Sequence, residues 1–437
     1  MFKLQTLQNG LRLITLPMKG TRAVTALVMI GTGSKYETRK NSGISHFLEH
    51  MFFKGTEKRP SAMAIASTLD GIGAEYNAFT GKEYTGYWVK AEAGKIKLAM
   101  DVVSDMLLNI KLEQEEIERE KGVIVEELNM YQDNPIMHIE DVFETCLYGD
   151  TPAGWDTIGT RETIMSFGRQ DFTQYFQSQY APHNTIVSLV GNIDHAQAKR
   201  LAEKYFSTPK FIERGRDFQE KKKVREKQAR PQIKLHYKKT DQAHLSLGVR
   251  TVGYDHKEKL IIKLLSIILG GSMSSRMFIN LRERNGLAYY VRTGTESYTD
   301  CGYLTTRAGV PVAKLPQALK IILSEYRKIK NNLVGPEELK RNKDLLKGRV
   351  TLQLEASDNQ ADWYGRQATL LDTIKRTKRN KKALNLLTPE KYFKLIEGIS
   401  SKDIQRVARK VFVNKGLNLA IIGPFRGDKS LKKIIKL

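Results

Sequence analysis

The segment GISHFLEHMFFKGT, residues 43–56, constrains this chain more than any other, because it sets His46, Glu49 and His50 in the order H-x-x-E-H within apolar text that reads as a helix. At 100° per residue the two imidazoles, four apart, project from neighbouring turns, and the carboxylate flanks them on the same side. Ile44, Phe47, Leu48, Met51 and Phe52 fill most of the remaining circumference, so that only Phe53 shares the polar stripe. A helix that is apolar nearly all round is buried. Two imidazoles and a carboxylate inside a core carry a heavy desolvation cost unless they are hydrogen-bonded or bind a metal. A pair of hydrogen-bonded core histidines is one reading, and a shared metal ion is the one the spacing favours.

A catalytic zinc site takes a third protein ligand and keeps one position open. In LEQEEIEREKGVIVEELNMYQDNP, residues 112–135, the apolar positions Ile117, Val123, Ile124, Leu128 and Tyr131 predict one long helix. Glu120 and Glu127, seven apart, share a face of it. Glu113, Glu116, Glu118 and Glu126 compete for the same role, and spacing alone leaves the choice open.

HFLEHMFFKGT followed by EREKGVIVEE, with 76 residues between His50 and Glu127, resembles the inverted-motif zinc peptidases related to pitrilysin, insulin-degrading enzyme and the β subunit of the mitochondrial processing peptidase. The resemblance implies that His46, His50 and Glu127 bind one zinc ion per chain. It makes Glu49 the general base that takes a proton from zinc-bound water as the water attacks a peptide carbonyl. Glu120 is then the glutamate that orients a ligand and tunes the site. A site of two histidines and one carboxylate also accepts manganese or cobalt.

Two further segments extend the likeness. AEYNAFTGKEYTGYWVKAEAG, residues 74–94, alternates as a strand does and resembles the family's edge strand beside the zinc, where a peptide adds as one more strand. Asn77, Ala78 and Phe79 are expected at that edge. Periodicity by itself reads the stretch as an ordinary antiparallel strand. GGSMSSRMFINLRERNGLAYYV, residues 270–291, carries Arg282 and Tyr289, which match an arginine and a tyrosine that related peptidases use to hold substrate. Both side chains can donate to a carbonyl or a developing oxyanion. Taken alone, this text is a helix end capped by Gly286 and followed by a strand, and Tyr290 competes with Tyr289 for the inward position.

At 437 residues the chain is too long for one core, and its halves echo each other. LRLITLPMKGTRAVTALVMIGTG and IKLHYKKTDQAHLSLGVRTVGY open them, a helix and a strand pair follow in each, and long helices come next. This predicts an α+β fold of two similar domains, each a mostly antiparallel sheet packed with helices on one face. The expected bounds are 1–208 for a metal-binding domain, 209–232 for a charged linker and 233–437 for a metal-free copy. The resemblance implies a clamshell arrangement of the two.

Only Cys146 and Cys301 occur, too far apart for a thiolate zinc site, and both are expected to be small buried side chains. Mean hydropathy is −0.42, and no apolar run approaches the roughly 20 residues that cross a bilayer. The text enters the first strand directly at MFKLQTLQNGLRLI, so a cytoplasmic location without membrane insertion is expected. The net charge of +24 raises the question of nucleic acid. KKKVREK at 221–227 and KRTKRNKK at 375–382 are not interleaved with aromatics, so no stacking platform is predicted, and solvated surface is the expectation. The expected partners are peptide substrates and a second copy of the chain. The alternatives are an obligate heterodimer with a metal-free homologue and a noncatalytic scaffold, and the complete His46, Glu49, His50 and Glu127 set argues against the scaffold.

Overall fold

The computed structural model describes residues 1–378 and 385–437 and divides into two compact units, each built around one sheet. The first sheet contains β1 (Lys3–Thr6), β2 (Arg12–Pro17), β3 (Ala23–Ile30), β4 (Glu75–Thr80), β5 (Thr85–Glu92) and β6 (Thr185–Gly191), in the order β1-β2-β6-β3-β5-β4. All its pairings are antiparallel except β2 with β6. The second contains β7 (Gln232–Tyr237), β8 (Gln242–Thr251), β9 (Tyr290–Ser297), β10 (Gly302–Pro311) and β11 (Leu417–Gly423), in the order β7-β11-β8-β10-β9. Again only the first pair, β7 with β11, is parallel. Without β1, the two sheets have the same order and the same directions, so the repetition read in the sequence is a repetition of topology.

The units do not coincide with the two halves of the chain. The first is Met1–Leu128, Asp156–Lys222 and Leu352–Leu387, and the second is Asn129–Trp155, Lys223–Thr351 and Thr388–Leu437. The expected linker at 209–232 does contain one boundary, but the halves also exchange a long helix in each direction. The helix Pro135–Tyr148 lies on the second sheet, where Ile139, Val142, Phe143 and Leu147 pack with Tyr303, Ala420 and Ile422. The helix Ser357–Thr377 lies on the first, where Ala361, Tyr364 and Ala368 pack with Ile14, Leu27, Met29 and Ile186.

The exchange has a physical reason. Alternate residues of a strand face opposite sides of its sheet, yet Val24 through Ile30 are all buried. A sheet that is apolar on both faces needs cover on both. Leu27 and Met29 meet the exchanged helix, and the helix Ile96–Leu108 packs on β3 and β5 as well.

Three local expectations are corrected. Lys221, assigned to a solvated basic run, is buried and pairs with the buried Glu83 at 3.2 Å, alongside Lys35 at 2.7 Å. Pro209–Ile212 is a short helix with Phe211 buried, so part of the linker belongs to the first unit's core. Cys301 is buried but Cys146 only half-buried, and neither forms a disulfide. Residues 379–382 of the second basic run lie outside the described residues. Among the described residues no helix is long and apolar enough to cross a membrane.

Phe143 shows how firmly the exchanged helix is held: it is fully buried, with its ring edge-on to Tyr303 at 5.5 Å between centroids. Phe143→Ala is expected to destabilise the second unit by about 3–5 kcal/mol, measured as a lower denaturant midpoint. A midpoint unchanged from wild type contradicts this packing.

Candidate metal centre

The helix Ile44–Met51 begins at Gly43, whose φ of +94° favours glycine, and a Cβ there would lie 2.2 Å from the Ile158 carbonyl oxygen. Its first turn is capped from outside: the buried Glu37 carboxylate accepts the N–H groups of Gly43 at 2.8 Å and Ser45 at 2.9 Å. Burial pushes the Glu37 carboxyl up to about 7 despite those bonds. Phe47 is wedged against Phe167 and Phe172, and Phe52 against Tyr87, Phe176 and Tyr180. These aromatics fix the rotation of the helix and so the direction of its polar stripe.

The competing glutamates separate cleanly on the helix Gln114–Asp133. Ile117, Ile124 and Leu128 are buried as expected, while Val123 is exposed and Val125 takes its place in the core. Glu116 and Glu118 are spent on Arg119 and Lys121, and Glu113 and Glu126 are exposed. Glu127 faces both histidines, at 3.6 Å from His46 Nε2 and 3.4 Å from His50 Nε2. One ligand atom from each of the three residues lies within 4.8 Å of the others, and this is the one such group among the described residues.

The three residues fit a zinc ion. Good N–H···O hydrogen bonds close to about 2.7–3.2 Å, so these imidazole–carboxylate separations are long for direct bonding. They lie near the spacing of donors that share one metal ion: ligands bonded at about 2.0–2.1 Å in a tetrahedral array stand roughly 3.3–3.4 Å apart, and Glu127 meets the two imidazoles with different oxygens, Oε1 toward His46 and Oε2 toward His50. The donor set of two imidazoles and a carboxylate is also one that zinc accepts.

Glu120, the buried neighbour, does not face that centre. It accepts the Nδ1–H of His50 at 2.9 Å through one oxygen, and its other oxygen is paired with the Lys54 ammonium. This arrangement leaves His50 Nε2 as the ligand atom. Burial works against the charge on Glu120, but His50 and Lys54 outweigh it and hold the carboxyl below its ordinary value. Contact with His46 and then His50 holds Glu127 well below the usual carboxylate range. Glu49 stands apart from these pairs. Burial raises its pKa, and its Oε2 accepts the Thr80 hydroxyl from β4.

The expected edge is in place: β4 pairs with β5 alone and bounds the first sheet. Asn77 is exposed, Ala78 and Phe79 are half-buried, and the Phe79 side chain packs into the core side of the sheet near Tyr84 and Trp88. In the second unit Arg282 lies in a short π-helical turn, Phe278–Glu283, a form that often marks functional sites. Its guanidinium donates to the Tyr289 carbonyl at 2.8 Å. Tyr289 is 76% exposed, whereas the half-buried Tyr290 has its hydroxyl 3.1 Å from His244 Nδ1, so the inward position belongs to Tyr290 and not to Tyr289. The corresponding interval of the second copy holds the helix Lys259–Gly270, KLIIKLLSIILG, which has no metal-ligating side chain.

Sequence reasoning missed Lys54 and Thr80. Lys54 stands within the same motif, but a lysine four residues after a histidine carries no signal of its own. Thr80 is brought to Glu49 only by the fold.

A Bacillus subtilis protein named uncharacterized zinc protease YmxG is 35% identical over 97% of this chain and 98% of its own length. The chain belongs to peptidase family M16. Residues 13–161 match the family described as insulinase (peptidase family M16), and residues 166–346 match the peptidase M16 inactive domain. A Rickettsia felis protein, also named an uncharacterized zinc protease, is 32% identical over 97% of this chain and 98% of its own. The fold is shared with a Helicobacter pylori protease at a TM-score of 0.87 and 22% identity, covering 97% of this chain and 99% of that one. It is also shared with a Pseudomonas fluorescens peptidase M16 inactive domain at a TM-score of 0.84 and 16% identity, covering 98% and 99%. The M16 matches divide as the metal ligands do, with all of them in the first.

The M16 site predicts a proton-linked metal affinity. Burial pulls His50 down, but its hydrogen bond to Glu120 and its contact with the Glu127 carboxylate outweigh it and push the imidazole up to about 9. The metal-free protein therefore carries a proton on His50 at neutral pH, which a metal must displace. That raised pKa contributes stability that is complete below the unfolded value of 6.5 and is lost as pH rises through about 9. The increase in melting temperature on adding zinc is thus expected to grow across that window. Zinc uptake at neutral pH should release about one proton per chain, measured by calorimetry in buffers of different ionisation heat. A pH-independent increment with no proton release contradicts the prediction.

Proposed function

We propose that this M16 protein is a zinc-dependent endopeptidase that hydrolyses unfolded peptides or short polypeptides with Glu49 as general base. The reading is carried by one observation: the three-ligand group His46, His50 and Glu127 has beside it a half-buried carboxylate, Glu49, that no Lys or Arg neutralises among the described residues. Relatives across 97% of the chain are named zinc proteases, which supports the same reading.

His46, His50 and Glu127 hold the metal, and Glu120 with Lys54 keeps His50 in the tautomer that presents Nε2. Zinc, when bound, polarises water and the substrate carbonyl and brings the water's pKa toward about 7. Glu49 takes a proton from the attacking water and returns it to the leaving amine. Its raised pKa suits that exchange, since a base works best when its pKa lies near the operating pH. The open edge of β4 supplies main-chain groups for an extended peptide, so affinity comes largely from backbone pairing and sequence preference is broad. Arg282 and Tyr289 present a guanidinium and a phenol to solvent in the second unit, donors suited to a peptide carbonyl.

The test is cleavage of a long, unstructured, internally quenched peptide. Glu49→Gln is expected to keep its zinc and lose activity by about 10²–10⁴-fold, and chelation should abolish cleavage reversibly. Zinc-loaded wild type that cleaves nothing, or a fully active Glu49→Gln, rejects the proposal.

A further inference from the structure

Glu49 is tied to the sheet edge by one side chain that the peptidase chemistry described so far does not use. Thr80 is the last residue of β4, and its hydroxyl donates to Glu49 Oε2. Oε1 has no hydrogen bond among the described residues, so it is the oxygen left to exchange a proton.

The placement of Thr80 follows from the hairpin. Phe79 lies across Gly86 of β5, so closely that a Cβ at Gly86 would stand 2.2 Å from the Phe79 ring. With Phe79 committed to that face, the two-residue period of the strand turns Thr80 to the opposite face, toward the metal-binding helix. The end of the hairpin is held on several sides. Thr80 pairs with Thr85, Gly81 N–H reaches the Tyr84 carbonyl at 2.8 Å, and Lys35 N–H reaches the Lys82 carbonyl at 2.8 Å. Thr85 donates to the Thr32 carbonyl at 3.0 Å. A threonine is stiff at χ1, so the strand position sets the hydroxyl position. The donor is therefore preorganised by the sheet and does not depend on the helix that carries Glu49.

We propose that Thr80 is a positioning residue: it fixes the Glu49 carboxylate with Oε1 free, and it links the base to the strand on which a peptide adds. The inference rests on the peptidase reading. The strand that receives a peptide is thus also the strand that holds the base in place. The contribution falls on the chemical step and not on affinity.

Thr80→Val keeps the shape and removes the donor, while Thr80→Ser keeps the donor. In the zinc-loaded protein, Thr80→Val is expected to retain its metal and its KM and to lose kcat by about 10–100-fold, less than the roughly 10²–10³-fold lost when a donor to the oxyanion itself is removed. Thr80→Ser should recover most of that loss. A second readout needs no activity: melting temperatures of the metal-free wild type, Thr80→Val, Glu49→Ala and the double variant. Coupled residues give a double-variant shift smaller than the sum of the single shifts. Additive shifts, or full kcat in Thr80→Val, overturn the positioning role. Coupled shifts in a wild type that cleaves no peptide overturn the peptidase reading while leaving the Thr80–Glu49 contact standing.

Discussion

The helix Ile44–Met51 can lie in a core because nearly all of its buried polar groups are met from elsewhere in the chain, His46 Nδ1 alone being left without a hydrogen bond among the described residues. Glu37 closes its first turn, Glu120 takes His50 Nδ1–H, Glu127 faces both Nε2 atoms and Thr80 holds Glu49. An unpaired buried carboxylate or imidazole is expensive enough to unfold a marginal domain or to shift its own protonation. The loop before the helix, the long helix at Gln114–Asp133 and the edge strand β4 are thus fixed relative to one another by what this one helix must satisfy. Reactive geometry and folding demand coincide here.

The second unit shows what the same topology does without that demand. Its strands repeat the order of the first, yet the helix in the corresponding interval is purely structural. The exchange of Pro135–Tyr148 and Ser357–Thr377 makes each unit depend on both halves of the chain, because each exchanged helix covers a sheet face that is apolar in its own right. Leu27, Met29 and Ile186 would otherwise face water.

Much of this was legible in the sequence because the strongest signals are local. The H-x-x-E-H order and the apolar circumference around it both report on one helix turn by turn, and the strand pair in each half follows from patterns within about 30 residues, whereas the sheet order does not, because β6 and β11 pair with strands at the far end of their halves. The choice of Glu127 and Glu120 over Glu113, Glu116, Glu118 and Glu126 needed the family resemblance, since a face shared by several glutamates is degenerate in periodicity alone. Lys54 and Thr80 were not legible, because their partners lie across the fold. The exchanged helices were missed for the same reason: an amphipathic pattern says that a helix buries one face and is silent on which sheet receives it. Lys221 sat in a run of cations that reads as solvated, and only the buried Glu83 shows otherwise.

The charge pairing around His46, His50 and Glu127 makes sense as a zinc site, and zinc-edge X-ray absorption of the purified, zinc-replete protein tests this most directly. The account predicts one zinc per chain with a nitrogen and oxygen shell at about 2.0–2.1 Å, imidazole scattering from two histidines and no sulfur at about 2.3 Å. Failure to retain stoichiometric zinc, or a shell that lacks the imidazoles, would contradict it.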